Sequence, residues 1–124
     1  MRIGADYYPE HWEKERWKTD AEMMVKANIK VIRIGEFAWS LYEPEEGKYE
    51  FDWMDEALDF FGKYGIKVVM CTPSATPPKW MIDKYPDILQ NDIHGNPKLF
   101  GTRKHYCFNS ETYREKTKKL NTLI

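Results

Sequence analysis

Ile66-Lys67-Val68-Val69-Met70-Cys71-Thr72 is an apolar run of strand length, interrupted by one lysine and stopped by Pro73. A strand with one face in water alternates apolar and polar residues, whereas a nearly continuous run suits a parallel sheet covered by helices on both faces. Working back from it, Phe51 to Tyr64 carries Trp53, Ala57, Phe60 and Phe61 on one side of a helix, with Asp52 as N-cap and Gly65 just past its end. Before that helix, Lys30-Val31-Ile32-Arg33-Ile34 is a β-branched strand, and a loop containing Pro44 and Gly47 follows it. Glu13 to Ala27 has Trp17, Ala21, Met24 and Ala27 at helical spacing, and Ile3 to Tyr8 is a strand ended by Pro9. Working forward, Pro77 and Pro78 open a short helix through Lys84, Asn91 to Gly101 is a loop, and Ser110 caps a helix that runs to Ile124.

Strand followed by helix, three times over with short connections, predicts an α/β fold with parallel strands, because parallel neighbours need a crossover and a helix supplies it. The expectation is a partial (β/α)8 TIM barrel, roughly the first three β/α units. A closed barrel takes eight strands and typically about 250 residues. Residues 1–124 are therefore expected to be the N-terminal part of a larger domain that continues beyond Ile124.

Composition narrows the partners. Lys and Arg total 19 against 20 Asp and Glu, so the clustered basic excess that marks phosphate recognition is missing and no nucleic-acid partner is expected. No apolar stretch approaches the roughly 20 residues that cross a bilayer, so no membrane partner is expected either. Met1-Arg2-Ile3-Gly4-Ala5-Asp6 lacks the apolar run of a secretory signal, and Cys71 and Cys107 are too few for a disulfide framework; a cytoplasmic protein is expected. Aromatic residues make up 15% of the chain, including five Trp, more than a small core requires. Flat rings serve both core packing and the faces of sugars.

In β/α barrels the functional face lies at the carboxyl ends of the strands, so the residues directly after each strand are the ones to weigh. These are Asp6-Tyr7-Tyr8, Gly35-Glu36-Phe37-Ala38-Trp39, Thr72-Pro73-Ser74, and the later loop Arg103-Lys104-His105-Tyr106-Cys107. Asp6 and Glu36 are two carboxylates at neighbouring strand ends among aromatics, the inventory of glycoside hydrolysis, where a retaining mechanism sets two carboxyl groups about 5 Å apart. The competing reading is that each holds a loop or pairs with an arginine such as Arg33. Arg103 offers a fork of donors for a sugar hydroxyl or a carboxylate, or is a surface cation in a basic run. His105 has no evident acid–base partner, and a single Cys107 without a CxxC companion reads as a packed thiol ahead of a zinc ligand. A phosphate-binding glycine loop and a serine nucleophile elbow are both absent, which removes phosphoryl transfer and triad hydrolysis from consideration.

Four stretches in series resemble the N-terminal region of the glycoside hydrolase family 42 β-galactosidases. They are Ile3-Gly4-Ala5-Asp6-Tyr7-Tyr8-Pro9-Glu10-His11-Trp12, then Val31 to Ser40 (VIRIGEFAWS), then Thr72 to Trp80 (TPSATPPKW), and Gly101 to Cys107 (GTRKHYC). The resemblance implies a TIM-barrel catalytic domain, truncated here, whose parent hydrolyses terminal non-reducing β-D-galactose residues in β-D-galactosides by a retaining mechanism with two glutamates. Both glutamates are expected beyond Ile124, so no catalytic residue is assigned, and Asp6 and Glu36 become structural or supporting residues of the pocket. The resemblance assigns substrate binding to Arg103. It matches Cys107 to the first of four cysteines that hold a structural zinc in many members, with no cofactor needed for catalysis, although Phe108 and Glu111 replace prolines common in relatives. It also implies a trimeric homo-oligomer at full length. An alternative is a non-catalytic galactoside-binding module or a partner that completes a barrel.

Overall fold

Three parallel strands lie in sequence order, β1 (Ile3–Asp6), β2 (Ile29–Ile34) and β3 (Lys67–Met70), with β2 in the middle. They belong to a computed structural model that describes residues 3–124; Met1 and Arg2, which open the stretch read against a secretory signal, lie outside the described residues. The crossovers are α1 (Lys14–Lys26) between β1 and β2, and α3 (Asp52–Lys63) between β2 and β3. Short helices α2 (Trp39–Tyr42) and α4 (Lys79–Lys84) and the longer α5 (Glu111–Leu123) complete the chain.

Register explains the sheet's two faces. Ala5, Ile32 and Val68 are in line across the strands, as are Asp6, Arg33 and Val69. Because side chains alternate along a strand, these rows point to opposite faces. The first row, with Ile34, meets the helices, and Ile32 and Ile34 are wholly buried. The second row stays open: Val69 is 52% exposed and Lys67 is exposed. The apolar run of β3 predicts cover on both faces, but among the described residues only one face is covered, so its burial alternates. The ladder continues past the strand ends, with Tyr7 N–H on Arg33 O at 3.0 Å and Cys71 N–H on Ile34 O at 2.9 Å.

The residues fall into two compact units. One takes the chain up to Gly35 together with Glu50–Cys71. Its core joins Trp17, Ala21 and Met24 of α1 to Ile32 and Ile34 of β2 and to Met54, Ala57 and Phe61 of α3, all buried. Phe61 meets Tyr7 edge-on at 5.3 Å and lies 6.1 Å from Trp17. Removing so enclosed a ring typically costs about 3–5 kcal/mol, so Phe61→Ala is the single change best placed to undo this unit. Gly65, at φ 71°, ends α3 in the left-handed conformation, as its place after the helix predicts. The N-cap of α3 is Phe51 rather than Asp52, and it makes no side-chain cap bond; Asp52 is instead the first helical residue, where its charge complements the helix dipole.

The other unit comprises Glu36–Tyr49 and Thr72–Ile124. Trp39, Tyr42, Met81, Ile88 and Leu120 are among its fully buried side chains. Tyr106 stacks on Tyr113 with ring centres 3.9 Å apart. Ser110 caps α5 as predicted, its Oγ accepting the Tyr113 N–H at 3.2 Å. The helix α2 lies in a segment read from sequence as loop; its four residues are too few for periodicity to register.

Candidate functional site

Gly35 ends β2 at φ 82°, a left-handed conformation that favours glycine, and the turn it makes delivers Glu36 and Phe37. Glu36 is buried, 9% exposed, although it is charged. Its Oε1 accepts from Nη2 of Arg103, whose guanidinium carbon also sits over the Phe37 ring at 5.4 Å from the centroid. The Arg103 side chain is itself 60% exposed, so one edge of the cation is held while the rest faces outward.

The backbone around Arg103 is fixed on both sides. Lys104 takes a left-handed φ of 56° and its N–H donates to Ala75 O at 3.2 Å. Thr102 Oγ1 donates to Leu99 O at 2.9 Å, and Thr102 O pairs with Nδ1 of His105, a fully buried ring that meets Phe100 edge-on. Beyond it, Gln90 N–H donates to His105 O at 2.8 Å and Cys107 N–H to Ile88 O at 2.7 Å, which ties the loop to the turn after α4. His105 is thus a buried anchor of the loop.

Asp6 lies at the end of β1 and is exposed; its Oδ1 accepts from Arg33 Nη1 at 3.1 Å. The arginine-pairing reading of Asp6 therefore holds in the structure. Cys71 and Cys107 are both half-buried and form no disulfide with each other. Among the described residues no three His, Cys, Asp or Glu side chains come together to hold a metal ion. The described residues thus offer Cys107 without companions that would complete a zinc site around it.

Three carboxylates that sequence reading passed over are prominent. Glu43, 1% exposed, accepts from Trp39 Nε1 at 3.0 Å and from Gly47 N–H at 2.8 Å, and its own carbonyl takes Trp80 Nε1 at 2.8 Å. Burial, followed by the charge of Glu43, pushes the Tyr49 phenol up to about 12. Glu46 accepts from Lys116, Lys84 and Tyr85, and these bonds hold its carboxyl down to about 2. Asp20, a buried residue of α1, accepts from Tyr7 Oη at 3.0 Å and Arg16 Nε at 2.7 Å. The only sequence signal for these groups is the i,i+4 spacing of Trp39 with Glu43 and of Arg16 with Asp20, which many solvated pairs share.

A cleft of about 470 Å³ beside α1 is lined by Asp6, Tyr7, Trp12, Arg16, Asp20 and Met24, among others. Its charged groups are already engaged, Arg16 with Asp20 and Asp6 with Arg33, so it offers less to a polar ligand than the Arg103 rim. Among the described residues no helix is long and apolar enough to cross a membrane.

Comparison with known proteins bears on the same residues. A family model described as β-galactosidase, glycoside hydrolase family 42, matches residues 6–124. The chain is 48% identical over 124 residues to the β-galactosidase BgaH of Haloferax lucentense, covering all of this chain and 19% of that protein. It is 53% identical over 122 residues to a β-galactosidase of Thermus thermophilus, covering 98% of this chain and 19% of that one. The solved structure of a polyextremophilic β-galactosidase from the Antarctic haloarchaeon Halorubrum lacusprofundi superposes with a TM-score of 0.92 at 47% identity, over 97% of this chain and 18% of that chain. The chain thus spans about a fifth of the length of the relatives it matches. The parallel β/α units are accordingly part of a (β/α)8 barrel.

Proposed function

Because the chain belongs to the glycoside hydrolase family 42 β-galactosidases, we propose that it forms part of the galactoside pocket of a retaining β-galactosidase, with Arg103 as the residue that meets the sugar. The observation that carries this is the half-held guanidinium of Arg103: one edge bound to Glu36, the cation over Phe37, and the remaining donors outward. A guanidinium presents five N–H donors in a rigid fork, so an arginine with one edge committed still has donors for hydroxyl oxygens. Galactose is neutral and rich in hydroxyls, which suits such donors.

In this reading the two glutamates that perform the displacement lie outside residues 1–124. Hydrolysis with retention needs two carboxyl groups about 5 Å apart, one free to protonate the leaving oxygen and one free to attack the anomeric carbon. Glu36 is committed to Arg103 and Asp6 to Arg33, which suits them to supporting roles. The same proposal includes a cytoplasmic location, a trimer, and a structural zinc to which Cys107 contributes one ligand alongside cysteines outside these residues. Metal content of the protein purified at its native length tests the zinc.

The decisive experiment compares the protein purified at its native length with residues 1–124 alone on a nitrophenyl β-galactoside. The expected result is turnover by the first and none by the second, with Arg103→Ala lowering kcat/KM at native length while the circular dichroism spectrum is unchanged. Turnover by residues 1–124 that Glu36→Gln abolishes would place the reacting carboxylates here and overturn the proposal.

A further inference from the structure

Resting on the role just given to Arg103, we propose that Glu36 is the positioning residue for that arginine, a buried carboxylate that selects the one orientation in which the guanidinium meets the sugar. The loop bonds of Thr102, Lys104 and His105 fix the backbone of Arg103 but leave its long side chain to rotate. The Glu36 carboxylate and the Phe37 ring restrain that side chain, and both come from the single turn after Gly35.

The burial pattern separates this pair, like Arg16–Asp20 within α1, from fully solvated surface pairs. In Lys14–Glu56 and Lys79–Asp83 both side chains are half-exposed or more, at 61% and 50% and at 59% and 59%. Such pairs are solvated and add little. In Glu36–Arg103 the carboxylate side chain is 11% exposed and the arginine 60%. Desolvating a carboxylate is costly unless it is paired, and Arg103 supplies a charged partner here. A buried acceptor at a fixed place is what a flexible cation needs in order to present its remaining donors along one direction. Phe37 closes off the other side, because a cation over a ring face is held within about 6 Å of its centre. Galactoside recognition in this chain is therefore built by two segments far apart in sequence, one supplying the donor and the other its aim.

A double-mutant cycle on the protein at native length tests the assignment, with nitrophenyl β-galactoside as substrate and galactose as competing ligand. Glu36→Gln keeps the shape and removes the charge; it is expected to raise KM and the galactose inhibition constant about tenfold with a smaller change in kcat. Glu36→Asp, which keeps the charge on a shorter arm, is expected to recover part of that loss. Phe37→Leu gives a smaller effect in the same direction. Arg103→Ala combined with Glu36→Gln should be no worse than Arg103→Ala alone, since nothing remains to be positioned. Effects that multiply in the double variant, or a Glu36→Gln protein with the KM of the parent, would overturn the inference while leaving Arg103 as a sugar contact. An Arg103→Ala protein with unchanged kinetics would sink both, and matched thermal melts separate either result from misfolding.

Discussion

Trp39 donates through Nε1 to the Glu43 carboxylate 3.0 Å away, and both side chains are almost wholly excluded from solvent, at 0% and 1% exposure. The other carboxylate oxygen accepts the Gly47 N–H at 2.8 Å, so one acid satisfies a buried indole and closes the loop that follows α2. Leaving a buried donor without a partner costs about 1–3 kcal/mol. Glu43→Leu, which orphans both donors, is expected to lower the urea midpoint markedly. Glu43→Gln can accept through only one atom and should fall between; equal midpoints for all three proteins would refute this account.

Glu46 gathers Lys84, Lys116 and Tyr85, from α4, α5 and the residue after α4, onto one carboxylate. Its folded pKa, lowered from 4.5 to about 2, makes its contribution complete above 4.5 and lost as pH falls toward 2. Stability measured by urea is expected to decline over that window, and Glu46→Gln to remove part of the decline. Added salt should weaken the effect, as it does for partly exposed pairs.

Tyr7 behaves in the opposite sense. Burial and its bond to the Asp20 carboxylate raise the phenol pKa above the ordinary 10, so the neutral phenol is favoured in the folded state. Its stabilisation is complete below pH 10 and declines as pH rises above it. Tyr7→Phe removes a bond to a charged acceptor, expected to cost about 1.5–3 kcal/mol at neutral pH. An ultraviolet titration of parent and variant should show one late-ionising tyrosine fewer in the variant.

At Gly65 a methyl group would meet no heavy atom within 4 Å, yet the backbone stands at φ 71°. Gly65→Ala is therefore a test of conformation alone, expected to lower stability by about 1–2 kcal/mol without any change in packing. A variant as stable as the parent would show that the end of α3 readjusts.

The order and direction of the strands were legible because β-branched runs and helical spacing report on the chain nearest them. Gly65 and Ser110 are likewise local signals, and both mark real helix ends. Asp52 fails as a cap because the backbone turns one residue earlier, at Phe51, a shift that composition cannot resolve. At the site, the resemblance pointed to Arg103, but its pairing with Glu36 spans 67 residues and no periodicity encodes it. The carboxylate of Glu46 was missed for the same reason, since Lys84 and Lys116 reach it only through folding; that of Glu43 has close partners in Trp39 and Gly47, but at a spacing that many solvated pairs share. For Asp6 the neighbouring strand supplied its partner, and sequence already offered Arg33.

Because β1 and β3 are the outer strands of the sheet, each carries a row of backbone groups pointing away from β2. Such rows act as templates for further strands. Any preparation limited to residues 1–124 is thus expected to associate with itself as its concentration rises, and light scattering across a dilution series would register it. Lysines or prolines placed along those margins are the natural way to keep such a preparation dispersed.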